Sequence, residues 1–229
     1  MVRIDILSLF PSMFNGTFSE SIIKRAIEEE RVKINIVDFR EFSDDPHHNV
    51  DDTPYGGGAG MVLKCQPIFD CIKSIKTSKS KVIMLTPDGI TYNQKIAYDL
   101  SKEEHIILIC GHYEGFDERI RSICDMELSI GDYVLTGGEI PAMAITDSIV
   151  RLIPGVITTD SHEFDSFNNN LLDYPTYTKP RVYNDMEVPE ILISGDHKKI
   201  DEWRLNEQIE KTKIRRPDLL EAYNEIQNK

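Results

Sequence analysis

Residues 4–10 are an apolar, β-prone run, and Pro11 follows where its fixed φ suits a first helical turn. The chain is therefore predicted to open with a strand and a short helix. From Ser19 onward, Ile22, Ile23, Ala26 and Ile27 keep the i, i+1, i+4, i+5 spacing of one helical face. Val32, Ile34 and Ile36 then alternate as a half-buried strand does. The pattern continues with strands at 81–85 and 105–110 and helices near 66–75, 93–100 and 141–152. This alternation predicts an α/β domain with a mostly parallel sheet running to about residue 155, and periodicity alone makes that sheet Rossmann-like. After Ile153, Pro154 and Gly155 the period is lost. Residues 158–170 are polar and Asn-rich, the composition of a linker that orders on binding. Beyond it, Ile200, Trp203, Leu205 and Ile209, then Leu219, Leu220, Tyr223 and Ile226, predict two or more amphipathic helices in a small helical domain.

With 229 residues and 40% of them apolar, the chain is long enough for one or two globular domains. No window approaches 18 uncharged apolar residues, which excludes a helical membrane span. Arg3 and Asp5 interrupt the apolar N-terminus, so it reads as a strand rather than a secretory signal, and a cytoplasmic protein starting at Met1 is expected. Cysteines 65, 71, 110 and 124 have neither zinc-ribbon nor CxxC spacing and are expected to be reduced, buried and structural. The net charge of −13 argues against nucleic acid until its distribution is considered. Lys211, Lys213, Arg215 and Arg216 fall within six residues, and with Lys179 and Arg181 they offer a local basic surface for an RNA stem.

Three segments carry candidate chemistry. Residues 55–61, YGGGAGM, allow backbone N–H groups to approach an anion or cofactor, although taken alone they are a flexible turn and they match neither the phosphate loop nor GxGxxG. Residues 110–119, CGHYEGFDER, leave the apolar strand at its carboxyl end, where open α/β sheets bind ligands. Residues 129–139, SIGDYVLTGGE, read as a second glycine-bearing strand and turn before the 141–152 helix. The turns after residues 55, 86 and 129 converge on one crevice if their strands are neighbours.

Together with RLIPGV, DSF, LLDYPTYTKP and SGDHKKIDEWR, these blocks resemble the bacterial tRNA (guanine-N1)-methyltransferase family of the SPOUT superfamily, in order and over nearly the whole chain. The resemblance implies an α/β fold with a SPOUT-type, mostly parallel sheet and a deep C-terminal trefoil knot, followed by a small all-α domain. On this basis residues 1–157 form the methyltransferase domain, with the knot at about 82–140. Residues 158–170 form a flexible linker, and residues 171–229 form a helical tRNA-binding domain. Such a knot displaces the Rossmann-like expectation, since knots are otherwise too rare to assume.

The resemblance further implies that S-adenosylmethionine is held in a bent conformation by three loops. These contribute Leu85, Thr86 and Pro87; Gly111, Tyr113, Glu114 and Gly115; and Ser129, Ile130, Gly131, Tyr133, Leu135, Gly137 and Gly138. It implies methyl transfer to N1 of the guanosine 3′-adjacent to the anticodon, tRNA position 37, by a homodimer whose sites are built from both chains. Asp165 matches the family's general base, which the protonated N1 requires. Arg151 matches the arginine that stabilises charge spreading onto O6. Glu114 matches a carboxylate near the methionine moiety, and magnesium is reported for the family, although no metal-ligand spacing appears here. Position 112 is His where some members carry Arg, and residues 154–165 are shorter than in some relatives. Two other classes compete: an RNA-binding module that has lost catalysis, against which the intact Arg151, Asp165 and glycine loops count, and an enzyme of small metabolites, which explains neither the linker nor the basic helix.

Overall fold

The computed structural model describes residues 1–157 and 165–227, and the chain divides into two compact units, Met1–Thr158 and Thr159–Lys229. The first holds β1 (Val2–Leu7), α1 (Ser21–Glu28), β2 (Val32–Val37), the short pair β3 (Asp51–Asp52) and β4 (Val62–Leu63), then α2 (Cys65–Ile75), β5 (Ser80–Thr91), α3 (Gln94–Leu100), β6 (His105–Cys110), β7 (Met126–Ser129) and α4 (Glu139–Val150). Five strands make one sheet in the order β2-β1-β6-β5-β7, with every pairing parallel.

Both faces of this sheet are covered, which is why its central strand reads HIILIC with all six residues buried. Ile4, Ile6, Ile83, Ile106 and Leu108 pack on one face with Ile23 and Ala26 of α1 and Ala142, Ile145 and Ile149 of α4. Leu7, Val82, Met84, Ile107 and Ile109 pack on the other with Ile68, Cys71 and Ile72 of α2. Each such aliphatic side chain contributes about 1.5–3 kcal/mol by leaving water. Asp5 is the exception within β1. Its fully buried carboxylate is bonded by Asn35 Nδ2 at 2.6 Å, paired with Arg3 at 2.6 Å and with His105 Nε2 at 2.9 Å, which offsets the cost of burying a charge.

Several elements differ from the expectation. The helix after Pro11 is only a 3-10 turn, Pro11–Phe14. Residues 129–139 contain no strand beyond Ser129, because β7 lies upstream at Met126–Ser129. β5 runs past 85 to Thr91 despite Pro87 and Gly89: its pairing with β7 breaks after Leu85 and resumes at Ile90, both partnering Leu128. The cysteines are free, but only Cys71 and Cys110 are buried as expected, Cys65 and Cys124 being partly exposed. Burial pushes the Cys71 thiol up to about 12 and the Cys124 thiol to about 11, leaving both protonated at neutral pH.

The second unit contains the hairpin β8 (Val182–Tyr183) and β9 (Met186–Glu187) and the helices α5 (His197–Arg215) and α6 (Pro217–Gln227). Helix is therefore not its only regular structure: Asn184 and Asp185 take the positive φ values, 48° and 59°, of a tight hairpin turn. Asp196 caps α5 by accepting the Lys199 N–H, Arg216 ends it, and Pro217 opens α6. Leu172 N–H donates to Thr212 Oγ1 at 2.8 Å and Lys211 Nζ to Asp173 O at 2.6 Å, tying residues 172–173 to α5. Of the expected linker, residues 158–164 lie outside the described residues. Among described residues, no helix is long and apolar enough to cross a membrane.

Candidate active site

Because β6, β5 and β7 are neighbours, the stretch of β5 where its pairing with β7 breaks meets the loops leaving the carboxyl ends of β6 and β7. They enclose a cavity of about 250 Å³. Leu85, Thr86 and Pro87 line it from β5, and Gly111, Tyr113, Glu114 and Gly115 from beyond β6. Ser129, Ile130, Gly131, Tyr133, Leu135, Gly137 and Gly138 line it from beyond β7. The expected loop residues are thus all gathered at one place. His112, Phe116, Leu128, Val134, Thr136 and Pro141 also line it. Most of these are apolar neighbours of the motif residues, and only their alternation with the glycines could have marked them.

Close approach, of backbone at Gly138 and of side chains at Gly137, explains two of the glycines. A Cβ on Gly138 would lie 2.6 Å from Cys110 Cα and 2.8 Å from Gly111 N, where Gly138 N–H donates to Gly111 O at 2.9 Å. A Cβ on Gly137 would overlap His112 Nε2 and Glu139 Oε2. Tyr113 is held at a left-handed φ of 60°, local strain of the kind found at ligand-binding loops. The 55–61 loop does not line the cavity but borders it. Glu114 N–H donates to Met61 O at 3.0 Å, and any side chain on Gly60 would overlap Glu114.

The charged residues of the 110–119 block take separate roles. Arg119 pairs with Asp117 at 2.7 Å and holds that carboxyl well below the usual range. Arg121 reaches Asp88 at 2.7 Å and also contacts Glu118 and Glu127, while Asp88 accepts from Thr86, so the cavity-lining β5 loop is tethered from below. Glu139, at the first turn of α4 and buried, accepts from Ser8 Oγ at 2.7 Å and from His112 Nε2 at 3.1 Å.

The family model described as tRNA (Guanine-1)-methyltransferase TrmD matches residues 2–222. The chain belongs to this family. It is 61% identical over 222 residues to the tRNA (guanine-N(1)-)-methyltransferase of Malacoplasma penetrans, covering 97% of this chain and 98% of that one. It is 54% identical over 222 residues to the protein of that name from Dictyoglomus turgidum, covering 96% and 91%, and 55% identical over 226 residues to that from Geobacillus kaustophilus, covering 97% and 93%.

In this member of the tRNA (guanine-1)-methyltransferase family, the two expected catalytic residues belong to different units. Arg151 caps the C-terminus of α4, whose first turn carries Glu139. Twelve helical residues separate the two ends by roughly 18 Å at about 1.5 Å each. Asp165 belongs to the second unit, where its carbonyl accepts the Asn168 N–H at 3.3 Å in a turn with Phe167 at φ 77°. Among the described residues no three His, Cys, Asp or Glu side chains gather to hold a metal ion. Gly137→Val is expected to abolish binding of the methyl donor, because its side chain drives His112 and Glu139 apart. Calorimetry on a folded variant checks this, and unchanged binding removes the 129–138 loop from the site.

Proposed function

We propose that the cavity formed by the β5, β6 and β7 loops holds S-adenosylmethionine and that the chain, as its family membership states, is a tRNA (guanine-N1)-methyltransferase acting on the guanosine 3′-adjacent to the anticodon, position 37. The observation that carries this is the convergence of the three expected loops at the carboxyl ends of adjacent strands. The lining suits the ligand: apolar Leu85, Pro87, Ile130 and Leu135 offer surfaces to a purine, and Glu114 offers a carboxylate to an ammonium. When bound, the donor supplies an electrophilic methyl on a sulfonium.

Asp165 accepts the N1 proton, and Arg151 stabilises the negative charge that grows on O6 as that proton leaves, a gain confined to the transition state. Arg151 stands at the far end of α4 from the cavity of its own chain, which fits a homodimer in which each cavity is completed by the other copy. Exposed apolar side chains at Phe10, Met13, Val134 and Ile140 fit the same reading. The trefoil knot at about 82–140 is supported by the 86–90 excursion. A Cβ on Gly89 would lie 2.6 Å from Leu128 N, so this segment passes hard against β7. The unit from residue 171 onward, with Lys198, Lys199, Lys213 and Arg215 exposed on α5, supplies the tRNA stem contact, and a tRNA substrate fits a cytoplasmic protein.

A methyl-labelled donor incubated with unmodified tRNA tests the reading. Label is expected in N1-methylguanosine at position 37 and not in tRNA with another base there. Absence of any labelled tRNA overturns it.

A further inference from the structure

Among the side chains lining the cavity, His112 is the single basic one, facing a wall that otherwise carries Glu114, two tyrosines, hydroxyls, backbone and apolar groups. Its ring is not free to turn. Nε2 lies 3.1 Å from Glu139 Oε2, Ser8 Oγ donates to the other carboxylate oxygen at 2.7 Å, and the Phe10 ring packs at 4.7 Å. Phe10 N–H in turn donates to Ser8 Oγ at 2.9 Å. Ser8 is fully buried and Glu139 is 1% exposed, at the first turn of α4, where the helix dipole favours a negative charge. An ionised Glu139 accepts only, so Nε2 must carry a hydrogen. The second ring nitrogen, Nδ1, has no hydrogen-bond partner among the described residues. What the cavity meets at position 112 is therefore decided at Nδ1 alone.

A methyl donor of the sulfonium amino-acid class brings both an ammonium and a carboxylate into this cavity. Glu114 is complementary to the first, and among the lining side chains only His112 is complementary to the second. Resting on the reading of this cavity as the methyl-donor site, we infer that His112, held by Glu139 and Ser8, is the specificity-determining contact for the α-carboxylate of the donor. The contact is a charge-assisted Nδ1–H to carboxylate hydrogen bond, with Glu139 neutralising the far side of the imidazolium. His112 touches the ligand; Glu139 and Ser8 are positioning residues. The groups facing the ring are Glu139 from α4, Tyr113 from its own loop at 6.0 Å, and the uncharged Ser8 and Phe10 beyond β1.

Calorimetry with S-adenosylhomocysteine, its decarboxylated counterpart and 5′-methylthioadenosine tests this without turnover. The full-length protein is expected to prefer the carboxylate-bearing ligand by about tenfold to a hundredfold, the range of one charged hydrogen bond. His112→Gln is expected to erase that preference while leaving methylthioadenosine binding intact, and His112→Arg to restore it. A preference that survives His112→Gln overturns the inference. If that variant binds none of the three, the wild-type comparison decides, and no preference for S-adenosylhomocysteine over its decarboxylated counterpart overturns it. A wild-type protein that binds neither S-adenosylhomocysteine nor methylthioadenosine instead overturns the cavity's assignment as the donor site.

Discussion

Asp165→Asn is expected to lower single-turnover methyl transfer by about 10²–10⁴-fold, the usual cost of losing general-base assistance, while donor binding stays near wild type. The substitution keeps the size and hydrogen-bonding shape of the side chain and removes only its ability to take the N1 proton. The separation of the two effects follows from the chain's layout. The donor cavity is lined by residues 85–141 of the first unit, and Asp165 sits in the second, on a turn whose Ser166 Oγ accepts the Asp173 N–H at 2.9 Å. Raising the pH should partly rescue the variant, because guanine can then lose its proton to solvent. Near wild-type rates across pH would place the base elsewhere, and Glu163 and Asp160, which lie outside the described residues, become the next candidates.

What the amino-acid order made legible is the part governed by local chemistry. Val32, Ile34 and Ile36 alternate, and they form β2. HIILIC is apolar throughout, and it forms the central strand, buried on both sides. A helix is expected near 93–100, and α3 forms there, capped by the Asn93 side chain, which accepts from Ile96 N–H at 3.1 Å. The loop residues were legible through recognised blocks and not through spacing, since four glycines at 56–60 stand out more than Gly137 and Gly138 and yet border the cavity without lining it.

What stayed hidden depends on contacts between distant residues. Pro87 and Gly89 mark a break, and locally they do break β5. The strand resumes because Leu128 offers a second pairing that no window around residue 88 contains. The Asp5 carboxylate looks like an interruption in an apolar strand until Asn35, Arg3 and His105 are brought to it from 30, 2 and 100 residues away. Glu139 likewise reads as an ordinary first-turn acid, and its pairing with Ser8 spans 131 residues. His112 was noticed as a departure in charge. Its tether to Glu139 gives that departure a physical meaning.

Neither Arg151→Ala nor Gly137→Val chains should transfer methyl groups alone, but dimers formed from one of each should. In a mixed dimer the Arg151→Ala chain contributes an intact cavity, and the Gly137→Val chain contributes an intact arginine. If the arginine serves the cavity of the other copy, one of the two sites is then whole. The geometry motivates the crossing: α4 begins at the cavity with Glu139 and carries Arg151 roughly 18 Å away at its other end, so within one chain the helix itself holds the two apart. Loss of a fixed cation at a developing oxyanion costs about 10²–10³-fold, and loss of the cavity removes the donor altogether, so the background of each homodimer is low enough to see recovery. Co-expressed chains with different tags, purified as the mixed species and assayed with labelled donor, provide the measurement. Activity per dimer approaching that of a single wild-type site supports sites shared between copies. A mixed dimer no more active than its parents places Arg151 in the service of its own chain's cavity.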